Sequence, residues 1–78
     1  MTLTQLRYLV AVVDAGNNIT QAAIKVHATQ PGLSKQLKQL EQWLGFELFA
    51  RRGKALDGLT EPGARVVEQA RALLERAD

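Results

Sequence analysis

The middle of the chain carries apolar residues at helical spacing. Four leucines lie three or four residues apart, which predicts one buried stripe along a helix that ends at Gly45. They are Leu33, Leu37, Leu40 and Leu44. Thr29 is placed to cap the first free amides, and Pro31 is tolerated in a first helical turn. The polar residues of this segment therefore fall on the opposite face.

Two shorter amphipathic segments precede this helix. The apolar positions of the first are Leu3, Leu6, Leu9, Val10 and Val13. Thr2 or Thr4 can cap it, and it should end near residues 15–16. Asn18, followed three residues later by Gln21, predicts a capping box for a second, short helix. A short helix, a tight turn and a longer helix together predict a helix-turn-helix.

A hairpin is predicted after the long helix. Residues 46–49 alternate apolar and polar at strand period, and residues 56–60 can return as a second strand. The basic segment 51–54 interrupts the pattern between them, so the hairpin should have a basic tip. Three helices followed by a two-stranded wing make a winged helix-turn-helix, which is a mainly α fold.

A last helix should begin near Thr60, because Glu61 suits the helix dipole and Pro62 is tolerated in the first turn. Its apolar residues alternate steps of four and three, which predicts a seam for a partner helix. The predicted dimerisation residues are Val66, Ala70, Leu73, Leu74 and Ala77. We therefore expect residues 1–60 to form the winged domain and residues 61–78 to begin a linker helix of a longer protein.

Length and composition narrow the function. With 78 residues the chain can build one small core but no sizeable catalytic cleft, so an enzyme is not expected. It has no cysteine and a single histidine, His27, so neither a disulfide nor a metal site is expected, and no cofactor is predicted. No segment approaches the roughly 20 apolar residues that span a bilayer, so we expect a soluble, cytoplasmic protein without a membrane partner.

Basic residues concentrate in the middle of the chain. The net charge is only +2, but residues 20–56 hold six bases against two acids, whereas the remainder holds four bases against six acids. On the free face of the long helix, amide, hydroxyl and ammonium groups stand together at Gln30, Ser34, Lys35 and Lys38. Such groups meet base edges and phosphates in nucleic-acid complexes. Taken singly and without further evidence, each of these residues is better interpreted as a solvated polar position.

Four motifs, in this order and spacing, carry a family resemblance. They are NITQAA at residues 18–23, QPGLS at 30–34, LEQWLGFELFAR at 40–51 and LTEPG at 59–63. Together they resemble the N-terminal domain of LysR-type transcriptional regulators, over nearly the whole chain. Residues 30–36 and 51–54, with Gly32 and Pro62 where most relatives carry alanine, are most similar to the sulfur-assimilation subgroup.

The resemblance implies sequence-specific binding of double-stranded DNA, with the long helix in the major groove and the wing on the backbone or minor groove. The residues that it implicates are Thr20, Thr29, Gln30, Pro31, Ser34, Lys35, Lys38, Arg51, Arg52 and Lys54. Some of them have alternatives: Thr20 could be a bystander of the helix cap, and one of Arg51 and Arg52 could instead lie against the core or pair with Glu47. Arg51, which matches the family's own arginine, is expected to be partly structural. Trp43 is expected at the edge of the core or in a dimer contact.

The resemblance also implies a homodimer through the final helix and a tetramer of the full-length protein. A C-terminal domain that senses a small molecule normally follows in the family and is absent from this chain, so no small molecule should bind here. An alternative from another class is a winged-helix module that binds a protein through the seam of its last helix. The salt dependence of binding distinguishes these two hypotheses. Affinity for DNA phosphates falls steeply as the salt concentration rises, whereas a largely apolar protein contact should not weaken in this way.

Overall fold

A computed structural model describes residues 1–77 of the chain, except for the side chain of Ala77. Four helices and one two-stranded antiparallel sheet make up the fold, which confirms the predicted winged helix-turn-helix. In chain order the elements are α1 (Leu3–Asp14), α2 (Ile19–Lys25), α3 (Gln30–Leu44), β1 (Phe49–Arg52), β2 (Ala55–Leu59) and α4 (Glu61–Ala77). Within the described residues, no helix is long and apolar enough to cross a bilayer.

Side-chain caps set the starts of the first helices. Thr2 and Gln5 form a complete capping box at α1, with both hydrogen bonds at 3.1 Å. At α2, Asn18 Oδ1 accepts the N–H of Gln21 at 2.9 Å, which is one half of the box predicted there. Gly45 has a left-handed backbone conformation, with φ at 84°, and ends α3 as predicted.

The core lies where α1 meets the other three helices. Its largest fully buried side chains are Phe49, Leu9, Leu33, Leu40, Leu48 and Val12. The stripe predicted for α1 is rotated in the structure: Val12 is fully buried, whereas Leu3 is 47% exposed. Because α1 packs against α2, α3 and α4, its buried face is broader than the predicted stripe. Gln5 is buried with it and donates to Gln36 Oε1 on α3 at 3.2 Å.

The wing differs from its prediction in where the first strand begins. The strand begins at Phe49, so the prediction that residues 46–49 form it is wrong. Leu48 and Phe49 are both fully buried, and two consecutive buried residues break a strand alternation. The segment 51–54 does not interrupt the hairpin. Arg51 and Arg52 lie within β1, opposite Leu56 and Ala55, and the turn consists of residues 53–54.

Helix α4 is fastened to the base of the wing and to α1. Thr60 Oγ1 accepts the N–H of Gly63 at 3.0 Å and donates to the carbonyl of Glu47 at 2.7 Å. Gly63 packs so closely on the backbone carbonyl of Leu48 that a Cβ would collide with it. The first turn of α4 therefore lies directly on the chain that leads into the wing.

Candidate nucleic-acid interface

The N-terminal half of α3 presents a polar face to the outside. Gln30, Pro31, Lys35 and Lys38 are exposed and Ser34 is half-buried. The opposite face buries Leu33, Leu37 and Leu40 in the core, as the sequence predicted. Since Gln30, Ser34 and Lys38 recur every fourth residue, they form one row along the free side of the helix.

The first turns of α2 and α3 meet the wing at one cleft. Thr20, Gln30 and Lys54 line it, and its volume is about 240 Å³. The hydroxyl of Thr20 donates to Oε1 of Gln30 at 3.3 Å, which links the two helices directly. The contact face, defined here as the first turns of α2 and α3 together with the wing tip, is thus formed by three elements.

The cap of α3 belongs to the contact face. Thr29 Oγ1 accepts the N–H of Gly32 at 3.1 Å, so the cap uses a lone pair of the hydroxyl and not its proton. A Cβ at Gly32 would lie 2.8 Å from this oxygen, so glycine leaves room for the cap at the start of the helix. The cap fixes the position of Gln30 and Pro31, which follow directly.

Arg51, whose side chain is 33% exposed, pairs with an acidic residue that the sequence analysis did not assign. Its Nη2 lies 2.9 Å from Oε1 of Glu41 on α3, and the Glu41 side chain is only 10% exposed. The second carboxylate oxygen of Glu41 accepts the N–H of Leu48 at 2.7 Å. Arg51 therefore pairs with Glu41 and Arg52 lies near Asp57, so the suggested pairing of one of them with Glu47 is wrong. The partly structural role expected of Arg51 matches this geometry.

The remaining bases of the wing stand in solvent. The side chain of Arg52 is 84% exposed and lies 3.7 Å from Asp57, itself 52% exposed. Such a long, solvated pair restrains the arginine little. Lys54 is exposed in the turn, beside Gly53 at φ 62°. Both side chains can reach outward to an anionic partner.

Comparison with known proteins identifies the family. The family model for bacterial regulatory helix-turn-helix proteins of the lysR family matches residues 3–64. The chain belongs to the LysR family. The DNA-binding domain of CbnR, solved in complex with DNA, matches 99% of this chain and 86% of that one, with a TM-score of 0.89 and 39% identity.

Curated LysR-family relatives place the chain more narrowly. The transcriptional regulator CysB of Haemophilus influenzae is 43% identical over 77 residues, which are 99% of this chain and 24% of the regulator. SsuR of Burkholderia cenocepacia is 47% identical over 66 residues, or 85% of this chain and 21% of that regulator. The chain thus spans about a quarter of their length or less. These relatives confirm the resemblance to sulfur-assimilation regulators, and as transcriptional regulators they confirm that this LysR domain is not an enzyme.

The final helix departs from the seam predicted for a LysR dimer. Ala70 is 1% exposed within this one chain, so its prediction as a dimerisation residue is wrong. Its side chain faces the same protomer because α4 packs along α1. Leu73 is 44% exposed, and Val66 and Leu74 are half-buried. The Ala77 side chain lies outside the described residues.

An ion pair that the sequence analysis missed joins α1 to α4. Arg71 donates to both carboxylate oxygens of Asp14, at 2.6 and 3.5 Å. The hydrogen bond from Arg71 holds the pKa of Asp14 below its ordinary value and in turn raises the pKa of Arg71. The two residues are 57 positions apart, so no local pattern indicates the pair. Among residues 1–77, no three His, Cys, Asp or Glu side chains cluster as a metal site.

Proposed function

We propose that this domain recognises an operator in double-stranded DNA as the DNA-binding part of a dimeric, cytoplasmic transcriptional regulator. The observation that carries the proposal is the contact face, where Thr20 of α2, Gln30 of α3 and Lys54 of the wing border one cleft. The complex of the CbnR domain with DNA supports the same partner for this fold.

In this proposal α3 enters the major groove with its N-terminal turns. Gln30 and Ser34 stand one turn apart on its free face and can hydrogen-bond base edges, while Pro31 offers an apolar contact. Their backbone is fixed by the Thr29 cap and their opposite face by the buried leucines. Recognition therefore rests on a rigid helix, which favours discrimination between bases.

The bases around this helix supply the affinity. Lys35 and Lys38 act on phosphates, because an ammonium is a point charge without the fixed fork that reads a base pair. Arg52 and Lys54 of the wing reach the backbone or minor groove. Thr29 adds a hydroxyl to the contact face at the start of α3. Thr20 lines the cleft of this face together with Gln30 and Lys54. Arg51 contributes by holding the wing to Glu41 rather than by contacting DNA.

A second copy of the chain binds through α4. Leu73 is a large apolar residue of this helix that stands 44% exposed, and Val66 and Leu74 lie at half-buried positions. We place the winged domain at residues 1–60 and the start of the linker helix at 61–78. In the full-length protein a C-terminal effector domain follows and four subunits associate, whereas this domain itself takes up no small molecule.

Selection of bound fragments from a random DNA library tests the proposal. We expect one enriched half-site, repeated with inverted symmetry at a fixed spacing. Its affinity should fall with salt at a log-log slope of about −0.9 for each phosphate neutralised. Failure to enrich any sequence, or a binding constant that salt does not change, would instead favour a module that binds protein through α4.

A further inference from the structure

The hydroxyl of Thr20 and the side-chain amide of Gln30 form the direct polar link between the first turns of α2 and α3. Oγ1 donates to Oε1 at 3.3 Å across ten residues of sequence. Both side chains are exposed, and both line the cleft that Lys54 closes from the wing. The bond is thus located where the proposed function puts the base edges.

The bond uses the only proton of the threonine hydroxyl. A hydroxyl has one donor, so a Thr20 that donates to Gln30 cannot donate the same proton to a phosphate. The glutamine amide, in contrast, keeps both N–H donors of Nε2 when its oxygen is occupied. Lys54 across the cleft carries only donors and therefore does not compete for these N–H groups.

We propose that Thr20 is a positioning residue for base recognition, acting through Gln30. By holding Oε1, it orients the amide so that Nε2 donates to acceptors in the major groove. These are N7 of purines, O6 of guanine and O4 of thymine. The inference rests on the proposed function. It adds that the Nε2 group of Gln30, and not its Oε1, contacts the base.

The proposal explains why an exposed glutamine can discriminate. Without a partner, the glutamine side chain samples many rotamers and both orientations of its amide, in which Oε1 and Nε2 exchange places. DNA binding would then have to fix one of them at a cost in conformational entropy. An amide free to turn can also accept from N6 of adenine or N4 of cytosine through its oxygen. The Thr20 bond removes both alternatives before DNA arrives and leaves only the N–H donors of Nε2 for the base edge. Every base pair has an acceptor in the major groove, so the preference is for guanine, whose adjacent N7 and O6 can take both N–H groups, whereas adenine presents the N6 donor beside its N7.

Two variants of Thr20 separate its roles. Thr20→Val keeps the shape and removes the hydroxyl, and Thr20→Ser keeps the hydroxyl. Binding is measured by fluorescence anisotropy against the selected operator and against versions changed at each base pair in turn. We expect Thr20→Val to reduce discrimination about three- to tenfold at the one or two base pairs that Gln30→Ala also relaxes, the loss expected for one hydrogen bond. Thr20→Ser should retain it.

The double variant makes the test decisive. In a Gln30→Ala background, Thr20→Val should have no further effect, because the group that it positions is gone. A Thr20→Val effect that is equal for all sequences and persists in this background would overturn the inference and assign Thr20 to a phosphate. Unchanged discrimination in Thr20→Val would also overturn it. Both results differ from failure of the proposed function, in which the unmodified domain itself selects no DNA.

Discussion

Glu41 joins the recognition helix to the wing through Arg51. One carboxylate oxygen lies 2.9 Å from the guanidinium of Arg51 on β1, and the other accepts the N–H of Leu48 at 2.7 Å. Because the glutamate side chain is only 10% exposed, little solvent screens these bonds. A half-buried residue in the C-terminal half of α3 thus sets where the wing stands.

Glu41→Ala should therefore lower the free energy of unfolding by about 1.5–3 kcal/mol, the range for hydrogen bonds to charged groups. Urea denaturation followed by circular dichroism measures it. Glu47→Ala is the matched control, since Glu47 is exposed and its contact to Thr60 is made by its backbone carbonyl. Equal losses from the two variants would mean that the Glu41 carboxylate does not fasten the wing.

Lys38→Ala should weaken binding to all DNA sequences alike and make the salt slope shallower by about one unit, because one phosphate contact is lost. Anisotropy titrations over a range of salt concentrations give the slope. Lys25→Ala, at the far end of α2 beside Asp14, removes the same charge and should leave the slope unchanged. A slope that Lys38→Ala does not alter would place Lys38 away from the backbone.

Gln30→Ala and Ser34→Ala should each relax base preference at one or two positions, at a cost of about 1–3 kcal/mol of discrimination. Competition between operator and scrambled DNA measures this preference. Gln39→Ala is the control, because Gln39 is exposed on the same helix but half a turn around from Gln30. If the first two variants keep full preference, α3 does not read the operator.

Leu73→Asp should shift the domain from dimer to monomer and reduce operator affinity, because it places a charge in the proposed interface and removes the second half-site. Sedimentation at matched concentrations measures the change. Leu73 is 44% exposed, so the fold should survive, whereas Ala70→Asp should unfold the domain because Ala70 is buried within it. Identical molecular masses for Leu73→Asp and the unmodified domain would rule out α4 as the interface.

The ion pair between Asp14 and Arg71 should make the free energy of unfolding depend on pH in the acidic range. The pKa of Asp14 is lowered in the folded state, so its contribution is complete above the unfolded value of about 3.9 and is lost as the pH falls through the folded pKa. Asp14→Asn should remove about 1 kcal/mol or less at pH 7, because both side chains are more than a third exposed.

Urea midpoints at pH 7 and at pH 2.5 measure this dependence. The difference between Asp14→Asn and the unmodified domain should be present at pH 7 and smaller at pH 2.5, because pH 2.5 lies below the unfolded pKa of about 3.9. Glu68→Gln, which removes an exposed carboxylate from α4, should show no comparable difference at pH 7. A gap between Asp14→Asn and the unmodified domain that stays constant across this range would contradict the assignment.

Local signals were sufficient to predict the elements that carry the contact face. Thr29 caps α3 and Gly45 ends it, because both act on backbone groups within a few residues of themselves. The polar row at Gln30 and Ser34 followed from the leucine stripe, since burial of one helical face leaves the other outside. These predictions needed no knowledge of which helices meet.

Partnerships between distant residues could not be predicted in the same way. Asp14 could have paired with any of several bases, and only the packing of α4 on α1 selects Arg71. The prediction that Ala70 of α4 contacts a second copy was wrong for a related reason. An apolar repeat shows that a face is buried but not whether its own chain or a partner buries it, and here Ala70 is buried within its own chain.

Leu48 is bonded at both of its peptide groups, since its N–H reaches Glu41 and its carbonyl accepts the N–H of Thr60 at 2.9 Å. Gly63 of α4 packs directly against the same carbonyl, with no room for a side chain between them. A pull applied along α4 would therefore move recognition helix and wing as one rigid body. In a dimer, such a pull would change the distance between the two α3 helices. It would thereby change how far the DNA between the two half-sites must bend.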